Sequence, residues 1–256
     1  MMFKVLIAGF NGAMGKKAVK LVNQMPDYQL AAVLSPHLSS LRPSDYHLDA
    51  TVKLFTNLEE IDGHYDIWLD FTIPSAVYAN TKFAITHKIQ PVIGTSGLTD
   101  EQTQELQKLA QKEQVGGIIA PNFGLSAVLL MKFAQIAAAY FPNAEIIEMH
   151  HADKKDAPSG TAIKTAQTIA QNRQSKINAN FNHNPARGAD CYGIPVHSVR
   201  LPGYLAHEQV LFGSPGEALT IRQDSFDRDS FMHGVKLALT KVKHLDHLVV
   251  GLENII

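Results

Sequence analysis

From residue 3 to residue 120 the chain alternates short apolar runs with stretches of helical spacing, and this alternation restricts the possible folds more than any other feature. Residues 3–8, 30–34, 67–71, 91–93 and 117–120 read as strands with almost no polar face. Strands buried on both sides belong to a parallel sheet, because each parallel crossover carries a helix that covers the sheet. Helices are expected between them. From Met14 onward Ala18, Leu21, Val22 and Met25 recur at helical intervals until Pro26 stops the pattern. Another helix is expected at Thr99, whose hydroxyl can cap the first turn while Gln102 reaches back to complete a capping box.

Beyond residue 125 the pattern changes. Residues 126–140 read as a helix, 144–149 as a strand and 159–172 as a helix. Residues 194–200, 208–212 and 218–222 are strand-like and separated by Pro/Gly turns, a spacing that suggests antiparallel pairing. A last helix, with Phe231, Val235, Ala238 and Val242 on one face, is expected to return to the first domain with the apolar tail 248–256. The expected fold class is therefore α/β: a Rossmann-like doubly wound parallel sheet plus a second α+β domain with a mixed or antiparallel sheet. At 256 residues and 45% hydrophobic content the chain can fill both cores. The expected division is 1–125 with 229–256 as a dinucleotide-binding domain, and 126–228 as a substrate-binding and oligomerisation domain.

The turn after the first strand is Gly9-Phe10-Asn11-Gly12-Ala13-Met14-Gly15. Glycines here permit a tight turn and let backbone N–H groups approach a pyrophosphate, which the helix N-terminus also favours. The spacing is GxxGxxG, one residue longer in its first gap than GxGxxG, so simple chain reversal is the alternative. An acid that would bind the adenosine ribose is expected about 20 residues on. The chain has Leu34-Ser35-Pro36-His37 instead, which withdraws the usual support for exclusive use of NADH, and the Ser35 hydroxyl can donate to a phosphate. Gly94-Thr95-Ser96-Gly97 and Ala120-Pro121-Asn122-Phe123-Gly124 also follow strands, where small polar residues can line a nicotinamide pocket or serve only as turns.

Charge excludes several partners. Lys and Arg total 23 against 24 Asp and Glu, so no global positive field favours nucleic acid or an anionic membrane. Cys191 is the only cysteine, which rules out an intrachain disulfide or a cysteine metal cluster. The apolar run near the N-terminus is too short to span a membrane. A cytoplasmic protein is expected.

The stretch 148–162, EMHHADKKDAPSGTA, carries the most chemistry. Ser159 suits an N-cap, and Gly160 and Thr161 then offer backbone N–H groups to a carboxylate. His150 and His151 can transfer protons near neutrality, and Lys154 can donate a proton or hold a second carboxylate. A hydrogen-bonded surface histidine pair and a solvated charged loop are the alternatives. A metal is disfavoured, because adjacent histidines on an extended segment point to opposite faces and no third ligand stands at a suitable spacing.

The run His150 to Ala162 resembles the HHxxKxDAPSGTA signature of the 4-hydroxy-tetrahydrodipicolinate reductases. The resemblance extends to the glycine loop, Asp70-Phe71-Thr72, the GTSG and APNFG loops and Ser198-Val199-Arg200. It implies NAD(P)H-dependent reduction of a cyclic imine dicarboxylate, 4-hydroxy-tetrahydrodipicolinate to tetrahydrodipicolinate, in lysine and diaminopimelate biosynthesis, by a homotetramer. It assigns His150 and Lys154 to catalysis, and His151, Ser159, Gly160 and Thr161 to the substrate. Gly9, Phe10, Asn11, Gly12, Ala13, Met14, Ser35, Gly94, Thr95, Ser96, Ala120, Pro121, Asn122 and Phe123 would hold NADPH or NADH. Members often carry Arg where Ala13 stands and an acid where Ser35-Pro36 stands, so the departures fall at the adenosine end. Another amino- or keto-acid dehydrogenase and a redox-sensing regulator are the competing readings.

Overall fold

The computed structural model describes residues 2–174 and 184–256. The chain divides into two compact units, Met1–Phe123 with Phe231–Ile256, and Gly124–Ser230.

The first unit opens with β1 (Phe3–Ala8), α1 (Ala13–Gln24) and β2 (Tyr28–Leu34). β2 starts two residues before the sequence-based expectation, because the Tyr28 ring is buried and its hydroxyl donates to Leu239 O at 2.9 Å. β3 (Lys53–Phe55) was not expected. It is a three-residue edge strand with only Phe55 buried, too short to show a period. Next come β4 (Ile67–Asp70), α2 (Pro74–Thr86), β5 (Gln90–Ile93), α3 (Asp100–Glu113) and β6 (Gly117–Ile119). The capping box is present: Gln102 N donates to Thr99 Oγ1 at 3.2 Å and Thr99 N to Gln102 Oε1 at 3.1 Å. Such a cap is worth about 1 kcal/mol. The core between sheet and helices centres on Trp68, Leu6, Ile85 and Ile93, all fully buried.

The second unit holds α4 (Leu125–Ala138), β7 (Asn143–His150), α5 (Gly160–Asn172), β8 (Ala189–Cys191), β9 (Ile194–Arg200), β10 (Ala206–Ser214) and β11 (Glu217–Ser225). Its sheet order is β11-β10-β7-β9-β8. β10 pairs antiparallel with both β7 and β11, as the turn spacing suggested. β9 departs from that expectation: it runs parallel to β7 and antiparallel to β8. The reason is the connection, since α5 and then β8 lie between β7 and β9, and β8, antiparallel to β9, delivers the chain to the end of the sheet where β7 begins. Leu130, Ala134, Ala162, Ala166 and Ile169 of the helices pack on Ile146, Val196, Val210 and Phe212 of the strands.

The chain then re-enters the first unit through α6 (Ser230–Val242) and β12 (Leu248–Val250). β12 pairs parallel with β6, giving the all-parallel order β12-β6-β5-β4-β1-β2-β3. Gly234 of α6 must be glycine, because a Cβ there would lie 2.1 Å from Phe123 O.

Candidate functional site

In the first unit, the loops after β1, β4, β5 and β6 leave the carboxyl ends of four adjacent parallel strands, the edge where such sheets bind ligands. Gly9 turns the chain at φ +77°, and a Cβ on it would lie 2.3 Å from Phe71 O. A Cβ on Gly15 would lie 2.1 Å from Gly9 O, so glycine is what lets α1 start against the turn. Gly12 is the N-cap and supplies no side-chain cap, and the first turn holds no acid. Its N–H groups and the positive helix end suit a pyrophosphate. Asn11 and Ala13 are exposed and Met14 is half-buried. Phe10 is buried edge-on against Tyr46, with ring centroids 5.4 Å apart, so only its backbone can reach a ligand.

Ser35, whose hydroxyl was expected to face a phosphate, is only 4% exposed. Its N–H donates to Phe55 O at 3.1 Å, so pairing with β3 carries it inward. The exposed surface at that turn belongs to Pro36 and His37.

Asp70, at the end of β4, is fully buried and accepts five hydrogen bonds. Thr72 N, Thr72 Oγ1 and Thr95 Oγ1 reach its Oδ1 at 3.0, 2.6 and 2.6 Å, and Trp68 Nε1 and Asn80 Nδ2 reach its Oδ2 at 3.0 and 2.9 Å. The Thr95 hydroxyl is therefore spent within the protein, and Asp70 fastens the β5 loop to the β4 loop. The sequence reading gave Asp70 no role. Its signals were an acid closing the apolar run Ile67-Trp68-Leu69 and its place in the family resemblance. Gly94 passes between two rings, and a Cβ on it would lie 2.4 Å from Phe71 and 2.7 Å from Phe123. Ala120 and Phe123 are buried, Pro121 and Ser96 exposed, and Asn122 half-buried. Close-approach glycines, an uncapped helix start and a rigid loop pair fit a nicotinamide dinucleotide.

In the second unit the chemistry gathers at the end of β7. Residues 148 and 150 share a face of the strand. Glu148 is fully buried, and its Oε2 lies 2.5 Å from His150 Nδ1. Arg200, at the end of the parallel neighbour β9, grips the same carboxylate with Nη1 at 2.9 Å and Nη2 at 2.7 Å. Burial pushes the Glu148 carboxyl up, but hydrogen bonds from His150, Arg200 and Ser198 outweigh it and hold the group at about 2. An ionised Glu148 fixes the His150 tautomer, because Nδ1 must donate to the carboxylate, leaving Nε2 for chemistry. Arg200 Nη2 also donates to Asp156 O at 2.7 Å, and Ser159 N to Glu148 Oε1 at 3.2 Å. One ion pair thus anchors the second half of the loop 151–159.

Lys154 Nζ is paired with Asp156 at 2.7 and 2.9 Å, and this pairing holds the Asp156 carboxyl below its ordinary range. His151 is half-buried. Ser159 caps α5 by accepting from Ala162 N at 3.3 Å. Gly160 is exposed, and a Cβ on it would meet nothing within 4 Å, so no protein packing demands glycine there. Thr161 is half-buried. The Glu148–Arg200 anchor was missed from sequence. The signal was the two-residue interval from Glu148 to His150, but the partner lies on another strand. Among the described residues no group of three His, Cys, Asp or Glu is placed to hold a metal ion, and no helix is long and apolar enough to cross a membrane.

Two family models match this chain: dihydrodipicolinate reductase, N-terminus, over residues 3–123, and dihydrodipicolinate reductase, C-terminus, over residues 126–256. The chain is 63% identical over 257 residues to a 4-hydroxy-tetrahydrodipicolinate reductase of Lactobacillus helveticus, covering 99% of this chain and 98% of that protein. It is 59% identical to that of Limosilactobacillus fermentum, with both chains covered in full. Among solved structures, a dipicolinate-bound dihydrodipicolinate reductase from Paenisporosarcina sp. TG-14 superposes with a TM-score of 0.89 at 47% identity, covering 100% of each chain. A probable dehydrogenase from Thermotoga maritima, at 11% identity and a TM-score of 0.68 over 99% of this chain and 92% of that one, shares the fold alone.

Proposed function

This chain belongs to the dihydrodipicolinate reductase family, and on that premise we propose that it reduces 4-hydroxy-tetrahydrodipicolinate to tetrahydrodipicolinate with NAD(P)H, in lysine and diaminopimelate biosynthesis. The observation that carries the reading is the second unit's grouping of His150, Lys154 and the open α5 start on one buried Glu148–Arg200 anchor.

The coenzyme, when bound, supplies a hydride to an electrophilic ring carbon. Gly9 to Met14 would hold its phosphates through backbone N–H groups, and the loops of Gly94, Thr95 and Ser96 and of Ala120 to Phe123 would shape its nicotinamide end. Ser159 orients the α5 start, where the N–H groups of Gly160 and Thr161 bind one substrate carboxylate, with the open space over Gly160 admitting it. His151 and Lys154 hold the other. With the 4-hydroxyl lost as water, His150, aligned by Glu148, and Lys154, once released from Asp156, supply the one net proton that the ring takes up besides the hydride. The protein's share of the rate is this alignment of ring and proton donors.

Either nucleotide serves as coenzyme, since the turn after β2 carries no acid to repel a 2′-phosphate. A cytoplasmic homotetramer with a small dicarboxylate as its only ligand besides coenzyme completes the reading. The test is NAD(P)H oxidation with synthase-generated substrate: substrate-dependent loss of absorbance is expected, and its absence with both nucleotides would overturn the assignment.

A further inference from the structure

A row of polar side chains crosses the helix-facing side of the second sheet. In register from β9 to β11 it reads Ser198, Glu148, Glu208, Gln223. Two carboxyls on neighbouring strands therefore stand opposite each other in a buried layer. Glu148 is consumed by His150 and Arg200. Glu208 is 2% exposed, and its Oε1 has no hydrogen-bond partner. The Thr165 side chain on α5 lies within hydrogen-bonding reach of its carboxyl and, as a donor, favours the ionised form. The Thr165 hydroxyl is also 3.0 Å from Thr161 O, one helical turn earlier, in the stretch assigned to the substrate carboxylate.

Proton counting links these contacts. The Thr165 hydroxyl has one proton. When Thr161 O receives it, Thr165 Oγ1 is left as an acceptor, and a neutral Glu208 completes the chain by donating to it. An ionised Glu208 needs that proton for itself and draws it from Thr161 O. It also lodges a second negative charge beside Glu148.

Resting on the reductase reading above, we propose that Glu208 is a positioning residue for the substrate-carboxylate site at the start of α5, acting as a neutral acid through Thr165, and that its ionisation loosens that site. The surroundings favour the neutral form. Facing Glu208 are the anionic Glu148 from β7, with its charge shared by Arg200 and His150, the neutral Gln223 from β11 and the neutral Thr165 from α5. Gln223 is itself tied to Ser126 of α4 at 3.1 Å. His207 and Asp224 pair with each other at 2.7 Å at positions that alternate to the opposite face. Burial, with Glu148 nearby, outweighs the opposing hydrogen bond from Thr165 and pushes the Glu208 carboxyl up to about 7, so the change of state falls within the working range.

The experiment compares wild type with Glu208→Gln, which keeps a neutral donor, using pyridine-2,6-dicarboxylate as the probe between about pH 6 and about pH 8.5. The inhibition constants should agree at the lower pH, with wild type becoming about threefold to tenfold weaker than the variant at the higher. Coenzyme dissociation constants should coincide throughout, which a general loosening of the fold would not produce. Thr165→Val removes the relay and leaves the carboxyl, so it should flatten the same part of the profile. The infrared carbonyl band of a buried protonated carboxyl, read on wild type, should fade as pH rises. A constant ratio of inhibition constants across the range, or no such band at about pH 6, overturns the inference while leaving the reductase reading intact. A wild-type protein inactive at every pH would instead sink the reductase reading, and this inference with it.

Discussion

His150 Nδ1 lies 2.5 Å from Glu148 Oε2, two residues back on the same face of β7, and that carboxylate is held from its other side by Arg200. The imidazole is thereby fixed in tautomer and direction before any substrate arrives. Glu148→Gln should lower kcat by up to about a hundredfold with little change in coenzyme affinity, since the loss is one of alignment. It should also cost about 3–5 kcal/mol of stability, because Arg200 stays buried without its anion. Kinetics well below the melting temperature, with a melting curve alongside, separate the two effects. The wild-type carboxyl is held below its unfolded value, so its contribution is present above the ordinary carboxylate range and is lost only as pH falls through about 2. The variant's stability deficit should therefore be steady from neutrality down to the ordinary range and vanish in strong acid.

Lys154→Ala should reduce turnover by about a hundredfold or more, the share of a proton donor, while nucleotide affinity stays at the wild-type value. Both are read in one preparation by steady-state kinetics and fluorescence titration of the coenzyme. Near-wild-type turnover would remove Lys154 from the chemistry. Because Asp156 pairs with Lys154 and is given no part in the chemistry, Asp156→Asn should leave the enzyme active.

Asp70→Ala removes the carboxylate that Thr72 and Thr95 donate to, so the loops after β4 and β5 lose their common acceptor. Coenzyme affinity should fall by about tenfold or more, since a hydrogen bond to a charged group is worth about 1.5–3 kcal/mol. The dissociation constant for pyridine-2,6-dicarboxylate measured without coenzyme should not move. Equal losses for both ligands would mean general unfolding rather than a displaced coenzyme loop.

NADH and NADPH should support kcat/KM values within about a hundredfold of each other. Ser35 is buried and the turn after β2 carries no acid, which removes the usual repulsion of a 2′-phosphate. Raising ionic strength should erode activity with NADPH more than with NADH, because the added phosphate can be favoured only by screened charges. A preference for NADH of about a thousandfold, roughly 4 kcal/mol, would show that an acid from elsewhere in the chain discriminates.

Much of this protein is written locally. Residues 5–8 and 67–69 are apolar throughout, as strands of a sheet covered on both sides are, and Thr99 with Gln102 sets the start of α3 from four residues alone. The Ser159 cap and the glycine loop are likewise local, because turns and helix ends are decided by neighbours in the chain. What tertiary structure decided are the pairings across distance. β9 runs parallel to β7 because α5 and β8 intervene and β8 brings the chain to the end where β7 begins. Ser35 is buried because β3, too short for a sequence period, lies beside β2. Arg200 meets Glu148, and Glu208 faces it, because strand register sets those residues side by side, and no spacing along the chain encodes a register. Sequence therefore offered the candidate reacting groups, and the fold alone determined which charges hold them in place.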